Sequence, residues 1–265
     1  MRLCSIASGS SGNCIYVGSD CTNILLDAGI SAKRVEEGLC GLSIKPCELD
    51  AILITHEHSD HIQGLGVLAR KYGIPIYATK GTLEGIKQTA SVGKIDESLF
   101  NIVSSDSRFY VKDVCVTPFS ISHDAKEPVA YTFKCDGKKA AIATDLGTYN
   151  DYILDKISNC DVLMAEANHD IHMLQVGPYP YYLKQRILSD HGHLSNENCG
   201  RMISEALHDG VKHLVLGHLS KENNYPDLAY ETVRLEIEAS DTPYHGNDFP
   251  LTVAKRDMPI SVIEY

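Results

Sequence analysis

The chain has no tryptophan, no Cys-x-x-Cys pair and no excess of basic charge. The missing tryptophan excludes no class. The nine cysteines are scattered and odd in number, which fits reduced thiols in a cytoplasmic protein better than a disulfide scaffold. Cys4, Cys14 and Cys115 lie in apolar, strand-like runs and read as small buried hydrophobes. The formal net charge of −11 argues against a protein that holds nucleic acid through its general field. Phosphate chemistry is still open to an acidic chain, because bound cations can be the largest local charges in a site. No apolar run approaches the roughly 18 residues of a membrane span. Met1-Arg2-Leu3-Cys4-Ser5 also lacks the apolar stretch of a signal peptide, so a cytoplasmic location away from membranes is expected. Repeats, low-complexity stretches and linkers are absent too. With 265 residues and 43% hydrophobic content, the expectation is one domain over residues 1–265.

What is present is an alternation of short β-rich runs with helical segments. Strands are predicted at Leu3–Ala7, Cys14–Val17, Asn23–Asp27, Ala51–Thr55, Ile76–Ala78, Val111–Phe119, Val129–Cys135, Lys139–Ala143, Asp161–Ala165 and Lys212–Leu216. Helices are predicted from a Ser31 cap to Gly38, and over Asp60–Tyr72, Thr82–Thr89, Tyr149–Ile157, Tyr181–Leu188, Asn196–His208 and Asp227–Ala239. Interleaving of this kind predicts sheets covered by helices, a layered α/β domain.

The densest chemistry is His56-Glu57-His58-Ser59-Asp60-His61, directly behind the apolar run Ala51-Ile52-Leu53-Ile54-Thr55. His56 and His58, two apart on extended backbone, point the same way. Asp60 and His61 follow where the chain turns into a helix. Three imidazoles and two carboxylates in six residues point to a divalent metal site; the plainer reading is a solvated, histidine-rich turn. Further donors each follow a predicted strand, where binding residues gather in α/β folds. These are His123, Asp145, Glu166 with Asn168, His169 and Asp170, and His218. The donors divide naturally: His56, His58 and His123 for one ion, Asp60, His61 and His218 for a second, with Asp145 as the bridge. Such a nitrogen-rich set suits Zn²⁺, Mn²⁺ or Fe²⁺ and disfavours Ca²⁺ or Mg²⁺. Open positions would hold water, one molecule of it bridging and ionised near neutral pH. Two dications would outweigh the carboxylates and favour an anionic substrate.

With these residues assembled, the chain resembles the metallo-β-lactamase superfamily of αββα hydrolases. The matching segments run from Ser8-Gly9-Ser10-Ser11-Gly12-Asn13 through Leu25-Leu26-Asp27-Ala28-Gly29 to His218. The resemblance implies a four-layer αββα sandwich, two divalent metal ions, and Asp27 as a support for the His loop. Within the superfamily the chain is similar to the YycJ/WalJ group, DNA 5′→3′ exonucleases. That likeness rests on Ser8–Asn13, Thr55–His61, Glu166-Ala167-Asn168-His169-Asp170, Gly192-His193-Leu194-Ser195 and the segment from Gly217 to Asn224. The last two segments also resemble ribonuclease Z. There the Gly-His-Ser histidine assists phosphodiester cleavage beside an upstream Glu, which implies those roles for His193 and Glu166. Asn168, His169 and Lys221 are implied substrate contacts. Asn168 and His169 could equally cap a helix, and Lys221 could be a solvated surface lysine.

Several relatives are disfavoured by spacing. Gly177-Pro178-Tyr179-Pro180 is too short for the tRNA-binding arm of ribonuclease Z. The interval from Asp145 to His218 has no room for the inserted domain of β-CASP nucleases. The residues after His218 could hardly supply the helical domain of glyoxalase II, and no flavin domain is visible. Other features stay open: Ser195 as a helix cap, Ser8–Asn13 as a tight turn or an anion cradle, and Tyr179, Tyr181 and Tyr182 as base-stacking or ordinary tyrosines. The expectation is therefore a dinuclear phosphodiesterase acting on nucleic acid, with DNA as leading substrate. In it, a bridging hydroxide attacks phosphorus, and Asp60, Glu166 and His193 are the catalytic groups. Its competitors are an RNA, small-phosphodiester or thioester hydrolase of the same fold, and a metal-binding regulator without turnover.

Overall fold

The computed structural model describes residues Met1–Tyr265, which form two compact units. The first comprises Met1–Ser120, Ala125–Gly137 and Lys255–Tyr265; the second comprises Ile121–Asp124 and Lys138–Ala254.

The first unit begins with β1 (Arg2–Ala7), β2 (Cys14–Gly18) and β3 (Asn23–Leu26), paired antiparallel. Their apolar runs are almost wholly buried, as expected of strands covered on both faces. Helix α1 (Ala32–Gly41) starts where the Ser31 hydroxyl accepts from Arg34 N and buries Val35, Gly38 and Leu39. Strand β4 (Ala51–Leu53) then lies parallel to β3. The helix predicted over Asp60–Tyr72 is two, α2 (Ser59–Ile62) and α3 (Leu65–Tyr72). The break falls at Gly64, whose amide donates to Ala28 O at 2.7 Å. A Cβ on Gly64 would lie 2.3 Å from Ile30 O, so this close approach is open to glycine alone. Strand β5 (Ile76–Ala78) leads to α4 (Lys80–Gln88), which starts two residues before the predicted Thr82 and is capped by Thr79, and to β6 (Phe100–Ile102), unforeseen in the sequence.

The sheet order is Ile263–Glu264, β1, β2, β3, β4, β5, β6, antiparallel up to β3 and parallel beyond it. The same unit carries an antiparallel ladder of β7 (Phe109–Val111), β8 (Val114–Ser120) and β9 (Val129–Cys135). The run read as one strand from Val111 to Phe119 thus contains a hairpin. It turns at Lys112 (φ 49°) and Asp113, whose carboxylate accepts from the Ser19 and Thr22 hydroxyls. Cys4 and Cys14 are buried as expected. Cys115 is not, because β8 alternates there and turns Cys115 and Thr117 toward the partly exposed face.

The second unit is built on four parallel strands, β10 (Lys138–Ala143), β11 (Val162–Glu166), β12 (His213–Gly217) and β13 (Leu251–Val253). Helices join them: α5 (Asp151–Ile157), α6 (Ile171–Val176), α7 (Tyr181–Ile187), α8 (Asn196–Ala206) and α9 (Pro226–Glu238). Helix α6 is the one that Asn168 and His169 were weighed as capping, though the sequence set no bounds for it. Parallel strands bring the carboxyl ends of β10, β11 and β12 to one edge, and Asp145, Glu166 and His218 all emerge there. No helix is long and apolar enough to cross a membrane.

Candidate metal and catalytic site

In the first unit the His loop is fixed by backbone before any side chain acts. Asp27 follows β3 in the left-handed region (φ 59°), which turns its carboxylate inward from the strand end. Asn13 N donates to Asp60 O at 2.8 Å, Ala28 N to His61 O at 2.8 Å, and Gly29 N to Asn13 O at 2.8 Å. The packing over Asp60 is so close that a Cβ on Gly29 would sit 1.6 Å from Asp60 O.

The side chains then converge. His56 Nε2 and His58 Nδ1 are 3.0 Å apart, so the two rings do point together as their spacing predicts. The His56 and His61 ring centroids are 4.0 Å apart, and Asp60 Oδ2 is 3.5 Å from His61 Nε2. Asp27 Oδ2 accepts from His61 Nδ1 at 2.8 Å, while Asp27 Oδ1 accepts from Thr55 N at 2.9 Å. Burial pushes the Asp27 carboxyl above its usual range, and His61 and the Thr55 hydrogen bonds pull it back. This network assigns the proton of His61 to Nδ1 and leaves the Nε2 lone pair on the side of Asp60. Three imidazoles and a carboxylate, with one ring oriented by a buried Asp, are the donor set a borderline divalent ion prefers.

The second unit holds a matching cluster. Asp145 and His218 stand just beyond β10 and β12, both left-handed (φ 62° and 55°), so each side chain leaves its strand in a turn that ordinary residues avoid. Asp145 Oδ1 lies 3.3 Å from His218 Nε2 and 3.9 Å from His123 Nε2. The His123 ring makes a 3.1 Å bond from Nδ1 to Gly192 O, which leaves Nε2 as its donor atom. His193 Nδ1 is 2.7 Å from Glu166 Oε1 and 3.7 Å from Asp145 Oδ1. Glu166 is fully buried, and its Oε2 also accepts from Leu146 N at 2.7 Å and Leu194 N at 3.4 Å. The ligand atoms of Asp145, Glu166, His193 and His218 all lie within 4.8 Å of one another. His191 is only a neighbour: exposed, it bonds the Ser122 hydroxyl at 3.0 Å.

The remaining candidates fare differently. Asn168 is buried and donates to His218 O at 2.9 Å, so it braces a site residue through the backbone. His169 is buried, with 1% exposure, and its Nδ1 lies 3.3 Å from Asn168 Oδ1. Burial, then the charge of His193, lower its pKa to about 4, against a smaller pull from Asp170. Its Nε2 is buried with no hydrogen-bond partner. Neither Asn168 nor His169 caps α6; Asp170 does, accepting from Met173 N at 2.7 Å. Lys221 is exposed, as are Tyr181 and Tyr182, while Tyr179 is half-buried. Ser195 caps α8 by accepting from Asn198 N.

Three supports went unread in the sequence. Thr55 ties Asp27 to the His loop through its hydroxyl, 3.0 Å from Asp27 Oδ2. The Asn13 side chain reaches to 3.1 Å of His61 Nε2. Asn224 donates to Ala167 O, Asn168 O and Asn196 Oδ1, tying the segment after β11 to the start of α8. Only the concentration of asparagine near the site residues hinted at that last brace.

Residues 22–219 match the family described as Beta-lactamase superfamily domain, a match that runs through both units. The chain is 43% identical to Exodeoxyribonuclease WalJ of Streptococcus pneumoniae serotype 2 (strain D39 / NCTC 7466), over 98% of this chain and 96% of that protein. It is 40% identical to Exodeoxyribonuclease YycJ of Bacillus anthracis, over 88% of each. Among solved structures it is similar to the metallo-β-lactamase fold protein YhfI from Bacillus subtilis. That likeness has a TM-score of 0.70 at 18% identity, covering 98% of this chain and 99% of that one.

Proposed function

The chain belongs to the metallo-β-lactamase superfamily, and from that premise we propose that it is a metal-dependent DNA exonuclease, cleaving phosphodiester bonds from the 5′ end. The α/β sandwich expected from the sequence, two mixed sheets flanked by helices, is the fold of that family. The relatives that share 40% and 43% of its residues are named exodeoxyribonucleases, which supports nucleic acid as substrate class and DNA within it. The observation that carries the reading to phosphodiester chemistry is the His193–Glu166 pair, closed at 2.7 Å beside Asp145.

Residues 1–265 would act as one catalytic domain. His56, His58, Asp60, His61, His123, Asp145 and His218 would hold two divalent ions, with Zn²⁺ and Mn²⁺ ahead of Fe²⁺ on donor type. Such ions, when bound, supply activated water for attack on phosphorus and neutralise the phosphoryl oxygens. The protein's own groups do the rest. Asp27 holds His61 and the Gly192 carbonyl holds His123 in the tautomers that present Nε2. Glu166 takes the Nδ1–H bond of His193 and, as a carboxylate, favours the doubly protonated ring, whose Nε2–H would hydrogen-bond a phosphoryl oxygen or pass to the leaving oxygen. Asp60, with a side chain 23% exposed, serves as ligand and as acceptor for the proton of the attacking water. His169, buried and neutral, would act behind His193, and Lys221 would meet the phosphate backbone from the surface.

A substrate panel tests the reading. DNA, RNA, a chromogenic phosphodiester and a thioester are offered to metal-stripped protein re-supplied with Mn²⁺ or Zn²⁺. Release of mononucleotides from DNA at least tenfold faster than from RNA is expected. Preferential turnover of RNA or of the thioester would move the substrate assignment, and turnover of none would point to a metal-binding regulator.

A further inference from the structure

A cavity of about 360 Å³ opens beside Asp60, lined by Ser10, Ser11, Ser59, Asp60, Ile62, Gln63 and Ser91. Its chemistry is unusual in that four of its seven lining residues are serines, all exposed, and no serine hydroxyl among them is hydrogen-bonded within the protein. The backbone amides of Ser10 and Ser11 likewise have no internal acceptor, because the turn closes through Gly9 N to Asn13 Oδ1 (3.0 Å) and Gly12 N to Gly9 O (2.9 Å). The donors therefore point outward from a rigid loop. That loop is pinned where Gly12 (φ 154°) packs so tightly that a Cβ would lie 2.6 Å from Ile30 Cγ2. The segment just after Ser91 is held as well: Arg70 Nη1 donates to Val92 O at 2.9 Å and to Lys94 O at 3.1 Å.

Lysine and arginine are absent from the lining, and Asp60 is its one ionisable group. A dianionic terminal phosphate would call for a guanidinium or ammonium partner. Hydroxyl and amide donors around an apolar floor, Ile62, suit a singly charged phosphodiester with its sugar instead. The cavity lies in the size range of small-ligand sites, roughly 300 to 1,000 Å³. We propose that it is a subsite for the nucleotide adjoining the scissile bond, held through its sugar-phosphate backbone and not through its base. The inference rests on the phosphodiesterase reading and adds the place where the strand is gripped.

The test is the triple variant Ser10→Ala/Ser11→Ala/Ser91→Ala in the full chain, with Ser91→Glu as a second probe that adds a repelling charge. Three exposed serines can be replaced without touching the core, and thermal melts confirm folding. Loss of three neutral hydrogen bonds should raise KM for a single-stranded oligodeoxynucleotide roughly tenfold or more. The kcat should stay within about twofold, since no reacting group is removed. Hydrolysis of a small chromogenic phosphodiester, which lacks the adjoining nucleotide, should change far less than hydrolysis of the oligonucleotide in the same variants. In parallel, fluorescence anisotropy of a labelled oligonucleotide with metal-free protein should show weakened binding in both variants. Unchanged KM and unchanged anisotropy would overturn the subsite. A wild type that cuts no DNA would sink the exonuclease reading alone, and the anisotropy comparison would still decide whether the cavity binds the strand.

Discussion

Asp27→Asn separates shape from charge at the base of the His loop. The substitution is isosteric, and its Oδ1 can still accept from Thr55 N, now 2.9 Å away. The other terminus becomes an NH₂ group placed 2.8 Å from His61 Nδ1, where two donors cannot face each other. His61 must then carry its proton on Nε2 and accept at Nδ1. Nε2 is the atom proposed to bind the ion, so each binding event has to reverse the tautomer and leave two donors opposed. Loss of such a support typically weakens metal affinity about 10- to 100-fold. That corresponds to roughly 1.4–2.7 kcal/mol. The metal-free protein should lose little stability, since Asn relieves the burial cost that raises the Asp27 carboxyl. Titration calorimetry of metal-stripped wild type and variant with Zn²⁺ measures the affinity, and long-range ¹H–¹⁵N spectra of the His61 ring report the tautomer. A variant that binds with wild-type affinity, or keeps its Nδ1 proton, would refute the argument.

Three further outcomes follow from the geometry. Gly29→Ala forces a Cβ against the Asp60 carbonyl, backbone on backbone, and should cost at least about 1–3 kcal/mol in urea denaturation, with weakened metal binding. Glu166→Gln faces either His193 or the Leu146 amide with an NH₂ group; kcat should fall roughly 10²–10⁴-fold while metal content by mass spectrometry stays at wild type, and loss of an ion would instead make Glu166 a ligand. His169 titrates near 4 in the fold and near 6.5 when unfolded, so between those values the unfolded chain holds more protons and stability falls as pH drops. The His169 contribution reaches about 3 kcal/mol at the acid end. Asp27, raised by burial, contributes with the opposite sign, so the readout is the difference between wild type and His169→Asn. Denaturation midpoints of the two that fall in parallel from pH 7 to pH 4.5 would contradict the assignment.

The proposed metal donors could be picked out in the sequence because each follows a strand, and strand ends show plainly in apolar runs such as Ala51–Thr55 and Lys212–Leu216. Asp145 and His218 could be placed after β10 and β12 for that reason, although their left-handed backbones left no mark in the sequence. Errors clustered where local pattern and tertiary packing disagree. The periodicity of Asp60–Tyr72 continues straight through Gly64, but the Gly64 amide donates to Ala28 O, distant in sequence, and the helix divides there. The apolar run from Val111 hides a hairpin because Lys112 and Asp113 turn it with polar partners from Ser19 and Thr22, distant in sequence. Asn168 and His169, expected as substrate contacts from their motif, are buried, and Asn168 also donates to the His218 carbonyl, a brace that the motif did not show. Of the serine cavity only the Ser8–Asn13 turn could be weighed as an anion cradle, since Ser10, Ser59 and Ser91 meet only in the fold.

The measurement that bears most directly on the central claim is digestion of 5′- and 3′-labelled DNA by metal-stripped protein, with and without added Mn²⁺ or Zn²⁺, beside His58→Ala. The account predicts mononucleotides released from the 5′ end only when metal is present, and none from the variant. Intact DNA after incubation with fully metallated wild type would contradict it.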